Sequence, residues 1–236
     1  MNRGASFGAR PLEGDHSMPK SILVDTTRCT ACRGCQMACK DWHNLPAIPT
    51  KQTGTHQNPP DLNPCNLKVV RFHEHLDKNG KVVWNFFPDQ CRHCLTPICK
   101  DVADMAVPGA ILKDPDTGAV LFTEKTALLS PEDAQAVIDA CPYNIPRLDP
   151  KTRMLSKCDM CVDRIAAGMQ PMCVKTCPTG TMLFGEREEI LKEANKRLEI
   201  VKKQFPDAFL ADSRDVNVIY LLAEAKEHYY EYAAFM

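Results

Sequence analysis

Apolar and polar residues alternate from Leu67 to Leu76 and again from Lys81 to Phe87, on either side of Asp77-Lys78-Asn79-Gly80. Alternating β-formers around Asn-Gly are the pattern of a β-hairpin. Further along, the period changes. From Glu186 to Phe205, the apolar residues Ile190, Leu191, Ala194, Leu198 and Val201 recur at helical spacing with charges between them. Val216 to Met236 reads as a short strand followed by a helix. The segment 186–236 is therefore expected to be a helical C-terminal arm docked on the body or on a partner. Ser130 is placed to cap a helix, Pro131 suits its first position, and Glu132 and Asp133 suit the N-terminal end of its dipole. Ala134, Val137 and Ile138 give that helix an apolar stripe. Pro46 to Pro64 is rich in Pro and Asn and reads as loop. At the front, Ser21-Ile22-Leu23-Val24 is the first segment that looks ordered, and residues 1–19 read as a flexible leader, with Met18 as an alternative start. Met1 to Lys20 contains no apolar core of a secretory signal. No run reaches the roughly 18 apolar residues of a membrane span.

Composition narrows the function. The 236 residues have a formal net charge of −1 and 7% aromatics. That leaves neither a basic footprint nor a stacking platform for nucleic acid. The 13 cysteines are odd in number and bunched in short runs, whereas a secreted disulfide scaffold is shorter and spreads its cysteines evenly. Bunched cysteines point to metal.

The first run, Cys29-x2-Cys32-x2-Cys35-x3-Cys39, has bacterial-ferredoxin spacing, in which three thiolates hold one cubane and the fourth reaches the other cluster of a pair. Gly34 is expected to ease its turn. A four-cysteine zinc site is the alternative, and Lys40 stands where the simple run has proline. A reciprocal run is Cys158-x2-Cys161-x11-Cys173-x3-Cys177-Pro178. Crossing over gives one cluster on Cys29, Cys32, Cys35 and Cys177, and a second on Cys39, Cys158, Cys161 and Cys173. Cys158-x2-Cys161 alone is also half a zinc site. A third quartet is Cys91, Cys94, Cys99 and the distant Cys141. Its crossed counterpart would need cysteines at 103, 131, 134 and 137, where the chain has Ala103, Pro131, Ala134 and Val137. All four are missing together, so the arithmetic yields three [4Fe–4S] clusters and one vacated site filled by the capped helix. Cys65 is left as a free thiol or small apolar filler. Arg33, Arg92, Lys157 and Arg164 flank ligands, placed either to offset cluster charge or to be solvated surface cations. His93 has the same two readings, and His73 and His75 on the hairpin carry little weight as ligands. Neither a general base, a nucleophile nor a phosphate cradle stands out, and the Cys-x3-Cys-x2-Cys triplet of a radical enzyme does not occur.

From about Lys20 to Gly185 the chain resembles the iron–sulfur β subunits of molybdopterin oxidoreductases, which include formate dehydrogenase, dimethyl sulfoxide reductase, polysulfide reductase and nitrate reductase. The words that carry the resemblance are Cys29-Thr-Ala-Cys32-Arg-Gly-Cys35-Gln-Met-Ala-Cys39, Cys141-Pro-Tyr-Asn-Ile-Pro-Arg147, Lys157-Cys158-Asp-Met-Cys161-Val-Asp-Arg164 and Cys177-Pro-Thr-Gly180. Such subunits usually hold four clusters. The missing cluster, with the lack of a C-terminal membrane helix, resembles the small subunit of soluble, tungsten-containing periplasmic formate dehydrogenases. The resemblance implies an α+β fold of two ferredoxin-like units related by a pseudo-twofold, with the hairpin as an insertion. Residues 20–64 with 148–185 would form the two-cluster unit, and 65–147 the one-cluster unit. It further implies a non-catalytic relay beside a large subunit that carries bis-molybdopterin-guanine-dinucleotide tungsten or molybdenum, with a soluble cytochrome c as acceptor. A sulfur-compound reductase subunit is the alternative. Location is expected to be periplasmic by co-export with a signal-bearing partner, or else cytoplasmic.

Overall fold

The computed structural model describes residues 19–235, and the expected leader lies almost wholly outside them. In chain order the elements are β1 (Lys20–Asp25), α1 (Gly34–Trp42), β2 (Val69–Leu76), β3 (Val82–Asp89), α2 (Ile98–Ala106), β4 (Ile111–Lys113), β5 (Val120–Phe122) and α3 (Pro131–Asp139). There follow β6 (Arg147–Leu148), β7 (Leu155–Ser156), α4 (Val162–Ala166), α5 (Met172–Lys175), β8 (Met182–Glu186), α6 (Arg187–Lys202), β9 (Phe209–Ala211) and β10 (Val218–Leu222).

One four-stranded sheet, ordered β8-β1-β10-β9, organises the molecule. β1 runs antiparallel to β8 and parallel to β10, with Ile22 opposite Val218 and Asp25 opposite Leu221. Both central strands are continuous apolar runs because the sheet is covered on both faces. Ile22 and Val24 point with Val218, Tyr220 and Leu222 into one core, which also takes Val70 and Phe87 from the hairpin. Leu23 points with Ile219 and Leu221 into a second core, closed by Ile190, Ala194 and Val201 of α6. Each fully buried aliphatic of this kind contributes about 1.5–3 kcal/mol.

The C-terminal segment corrects the expectation of a helical arm. α6 forms with the predicted apolar face, but β10 lies inside the sheet, and the helix expected after it is only a 3-10 turn at Lys226–His228. The five-residue apolar run Val218-Ile-Tyr-Leu-Leu222 is sealed on both sides, as a central strand requires and an amphipathic surface helix does not.

The hairpin forms in the expected place, β2 pairing with β3 from Val69–Asp89 to Leu76–Val82. Gly80 takes φ +76° in its turn, where a Cβ would be strained. α3 begins as its sequence implies: Ser130 Oγ accepts the backbone N–H of Asp133, with Pro131 in the first turn. Ala134 and Val137 of α3 pack with Ala103 of α2, Ile111, Val120, Leu129 and Leu155 in a third core. Three of the four positions of the absent quartet are thus dry aliphatic packing. α1 packs on α5, and α2 packs on α3.

Candidate iron–sulfur centres

Twelve of the thirteen cysteines gather into three separate places, each fed by loops from distant parts of the chain. Cys29, Cys32, Cys35 and Cys177 line one cavity with Thr179 and Thr181. Cys39, Cys158, Cys161 and Cys173 line a second, together with His43, Lys68 and Gln90. Cys94, Cys99 and Cys141 line a third, a cleft open to the surface, beside Tyr143, Asp212, Asp215 and Phe235. Cys91 is an electrostatic neighbour of Cys94, Cys99 and Cys141 and completes that group. The four cysteines of the second cavity are all buried, whereas Cys32 in the first is exposed and Cys94, Cys99 and Cys141 in the third are half-buried. Cys65 lines none of the three and sits in the 46–65 connector, its carbonyl accepting from Lys40 Nζ at 2.7 Å.

The local backbone repeats at three of the four Cys-x2-Cys pairs. The residue before the second cysteine is left-handed in Cys29–Cys32, Cys91–Cys94 and Cys158–Cys161: Ala31 at φ +53°, His93 at +48° and Met160 at +64°. A non-glycine residue in this region is costly, and the recurrence at three sites marks a shared demand of the loop. The conformation turns N–H groups toward sulfur, as in His93 N–H to Cys91 Sγ and Met160 N–H to Cys158 Sγ, both 3.4 Å. Gly34 does not make the first turn. It starts α1, while Ala31 and Arg33 (φ +61°) take the positive angles, and a Cβ on Gly34 would sit 3.6 Å from Cys32 Sγ.

The donor set suits a multinuclear iron–sulfur group. All thirteen cysteines are free thiols. Burial pushes the Cys35, Cys94 and Cys99 thiols up to about 12, with neighbouring cysteines adding to the shift. Burial likewise raises Cys158, Cys173 and Cys141, while hydroxyls of Thr179 and Thr181 outweigh burial and lower Cys177. Thiolates so placed need a cation close by. A tetrahedral zinc with Zn–S of 2.3 Å would bring its sulfurs to about 3.8 Å of one another. Among the described residues, no three cysteine sulfurs lie within 4.8 Å of each other, a wider spread than one tetrahedral zinc draws together.

The charged residues around the quartets are interior. Arg92 is fully buried, hydrogen-bonded to Asp89 at 2.8 Å, and its guanidinium stands 4.5 to 5.1 Å from the rings of Phe87, Tyr143 and Tyr220. Lys157 is buried with Nζ on the Val120 and Cys158 carbonyls, and Arg164 is buried over Trp42 with Nε on the Gln170 carbonyl. The surface reading therefore fails for these three. Arg33 stays half-buried beside Phe72. His93 is fully buried, and burial together with Lys157 and Lys113 holds it well below its ordinary pKa. Its Nδ1 accepts the Val120 N–H at 3.0 Å, so Nε2 carries the proton and is buried without a protein partner.

Two residues were not singled out from the sequence. Lys68 is sealed between the first two cavities with Nζ on Gln90 Oε1. Burial disfavours its charge, but Cys35, Cys173 and Cys158 outweigh that and raise its pKa. His43, four residues after Cys39, contacts Asp159 at 3.0 Å and, through Nδ1, the Cys39 carbonyl at 2.8 Å and the Cys39 sulfur at 3.8 Å; burial lowers its pKa, but Asp159 and the Cys39 thiol outweigh that and push it up to about 11. The i, i+4 offset from Cys39 is the one local signal for His43. Lys68 has none.

Comparison with known proteins now decides the family. Residues 82–187 match the 4Fe-4S dicluster domain. The chain is 72% identical over 219 residues to the formate dehydrogenase 2 subunit beta (cytochrome c-553) of Nitratidesulfovibrio vulgaris, covering 93% of this chain and 100% of that protein. It belongs to the formate dehydrogenase β, or iron–sulfur, subunit family. It is also 53% identical over 216 residues to the formate dehydrogenase subunit beta of Megalodesulfovibrio gigas, covering 92% of this chain and 99% of that one. With the formate dehydrogenase iron-sulfur subunit of Haemophilus influenzae, identity is 34% over 91% of this chain and 68% of the relative. The chain is thus an electron-transfer subunit of a formate dehydrogenase-type oxidoreductase. Among the described residues, no helix is long and apolar enough to cross a membrane.

Proposed function

We propose that this β subunit holds three [4Fe–4S] clusters: on Cys29, Cys32, Cys35 and Cys177; on Cys39, Cys158, Cys161 and Cys173; and on Cys91, Cys94, Cys99 and Cys141. The observation that carries this is the convergence of three all-cysteine quartets, each assembled from distant loops, around separate spaces. A bound [4Fe–4S] cluster supplies one-electron redox chemistry at soft thiolate ligands. The rest is the work of the chain.

The quartets form a row. Cys35 of the first is an electrostatic neighbour of Cys173 of the second, and Cys158 of the second is one of Cys91 of the third. The order is therefore first, second, third, with the wholly buried quartet in the middle and the more accessible ones at the ends. That is the layout of a conduit: partners meet the ends, and protein insulates the centre. Lys68, between the first two quartets, favours the reduced, more negative state on both sides of that step. The paired packing of α1 on α5 and α2 on α3 supports two ferredoxin-like units related by a pseudo-twofold, with the fourth cluster position filled by Ala103, Ala134 and Val137.

In this reading one end faces a large subunit whose bis-molybdopterin-guanine-dinucleotide tungsten or molybdenum oxidises formate to CO2, releasing one proton and two electrons that pass singly along the row. The other end faces a small c-type cytochrome, as the name of the Nitratidesulfovibrio relative suggests. The complex works in the periplasm after joint export with a signal-bearing partner, the cytoplasm being the alternative.

Iron and acid-labile sulfide, measured on the complex with and without Cys141→Ala, test the assignment. Twelve irons on this subunit should fall to eight, while Cys65→Ser keeps all twelve. Cys141→Ala that retains twelve overturns the ligand set. Formate-dependent reduction of cytochrome c by the intact complex tests the electron path separately.

A further inference from the structure

Away from the cysteines, three imidazoles meet where the hairpin touches the C-terminal turn. His73 and His75 lie two residues apart on β2, so they share one face of the strand. His228 comes from the 3-10 turn some 150 residues later and stacks on His75 with ring centroids 4.0 Å apart. Its ring lies 5.9 Å from that of His73. One nitrogen from each ring lies within 4.8 Å of the other two.

We propose that His73, His75 and His228 form a binding site for a divalent transition-metal ion such as Zn2+, with Glu224 orienting His75. Three neutral imidazoles are borderline-soft donors suited to zinc, copper or nickel, and three histidine ligands make an open site that water can complete. His75 Nε2 faces Glu224 Oε2 at 3.5 Å, and Asn85 Nδ2 holds the same carboxylate oxygen. A carboxylate on one ring nitrogen fixes the tautomer and leaves the other free to ligate. That other atom, Nδ1 of His75, is buried without a partner, and so is Nδ1 of His73. Buried ring nitrogens with nothing to bond are rare in folded proteins, and two of them in one cluster of three imidazoles point to a missing acceptor of lone pairs. Tetrahedral coordination at Zn–N of about 2.0–2.1 Å needs nitrogens some 3.3 Å apart, within reach of side-chain rotation. A bound ion would clip the hairpin to the segment after β10.

The test is equilibrium dialysis of the chelator-washed complex against Zn2+, with iron assayed alongside to show that the cysteine quartets are intact. Wild type should take up one zinc per chain beyond the total bound by His228→Ala. Glu224→Gln should weaken that zinc by 10–100-fold, the usual effect of losing such an orienting carboxylate. If His228→Ala loses iron, His73→Ala takes its place. The absence of a saturable zinc in wild type overturns the site, as does equal zinc uptake by wild type and the histidine variant.

Discussion

Asp89→Asn should loosen the third quartet far more than its distance from the cysteines suggests. Asp89 is sealed from solvent and divides its carboxylate between Arg71 Nε and Arg92 Nη1, each at 2.8 Å. Arg71 has a second carboxylate in Asp61, at 2.6 Å. Arg92 has none. Its other contacts are the Gln90 and Tyr232 carbonyls and three aromatic rings. Removing one partner of a buried pair costs about 3–5 kcal/mol, because the remaining charge is left without compensation. At 1.4 kcal/mol per tenfold, that raises the population of the opened loop by roughly two to three and a half orders of magnitude. Arg92 lies between Cys91 and Cys94, and its carbonyl accepts the N–H groups of Asn217 and Val218, so opening there frees the loop from β10. Arg92→Met should cost less, about 1.5–3 kcal/mol for a lost charged hydrogen bond, since Asp89 keeps Arg71. The assay is release of iron to a chelator in graded guanidinium, followed by loss of visible absorbance. Asp89→Asn should shed a first third of its iron at the lowest denaturant, then Arg92→Met, then wild type. If Arg92→Met proves the weaker of the two, or if neither differs from wild type, the uncompensated-charge argument is refuted.

Two further outcomes follow from the same packing. Val137→Ala, in the dry core where a fourth quartet would stand, should lower stability by about 1–3 kcal/mol and leave iron content unchanged; a drop in iron would mean that this core carries metal. Asp61 bridges Arg71 and Arg147 at 2.6 Å each. Burial raises its pKa, but the two guanidiniums prevail and hold it below the usual carboxylate value. A depressed carboxylate stabilises above its unfolded pKa and loses that contribution as pH falls through the folded one, so connector 46–64 should resist protease down to about pH 4 and open below it. The effect is modest because Asp61 is 45% exposed and water screens the pair. Limited proteolysis checks it, and Asp61→Asn should already open the connector at neutral pH.

What could be read from the chain was local. The Asn-Gly hairpin, the Ser130 cap and the apolar face of α6 are each specified within a few residues, and each appears where the pattern puts it. The cysteine runs are likewise local words, but grouping them takes a pairing of distant runs, which joins Cys177, Cys39 and Cys141 to cysteines far off in sequence. The rest depends on partners far off in sequence. Lys68 and Arg92 look like ordinary cations until Cys35, Cys173, Asp89 and the rings close around them. His73 and His75 acquire meaning only when His228 arrives from the opposite end. The short strand expected from Val216 onward is β10, but its place between β1 and β9 is set by residues far off in sequence, and the helix expected after it is only a 3-10 turn.

The position of β10 bears on how the subunit is made. Residues 218–222 are made long after β1, yet they pair with it, and Asn217 and Val218 give their N–H groups to the Arg92 carbonyl in the Cys91–Cys94 loop. Until β10 is made, β1 has only β8 beside it, and the Cys91–Cys94 loop lacks its contacts to Asn217 and Val218. A nascent product that stops short of β10 would therefore hold the third cysteine quartet less firmly, which ties the shaping of that quartet to the closing of the sheet.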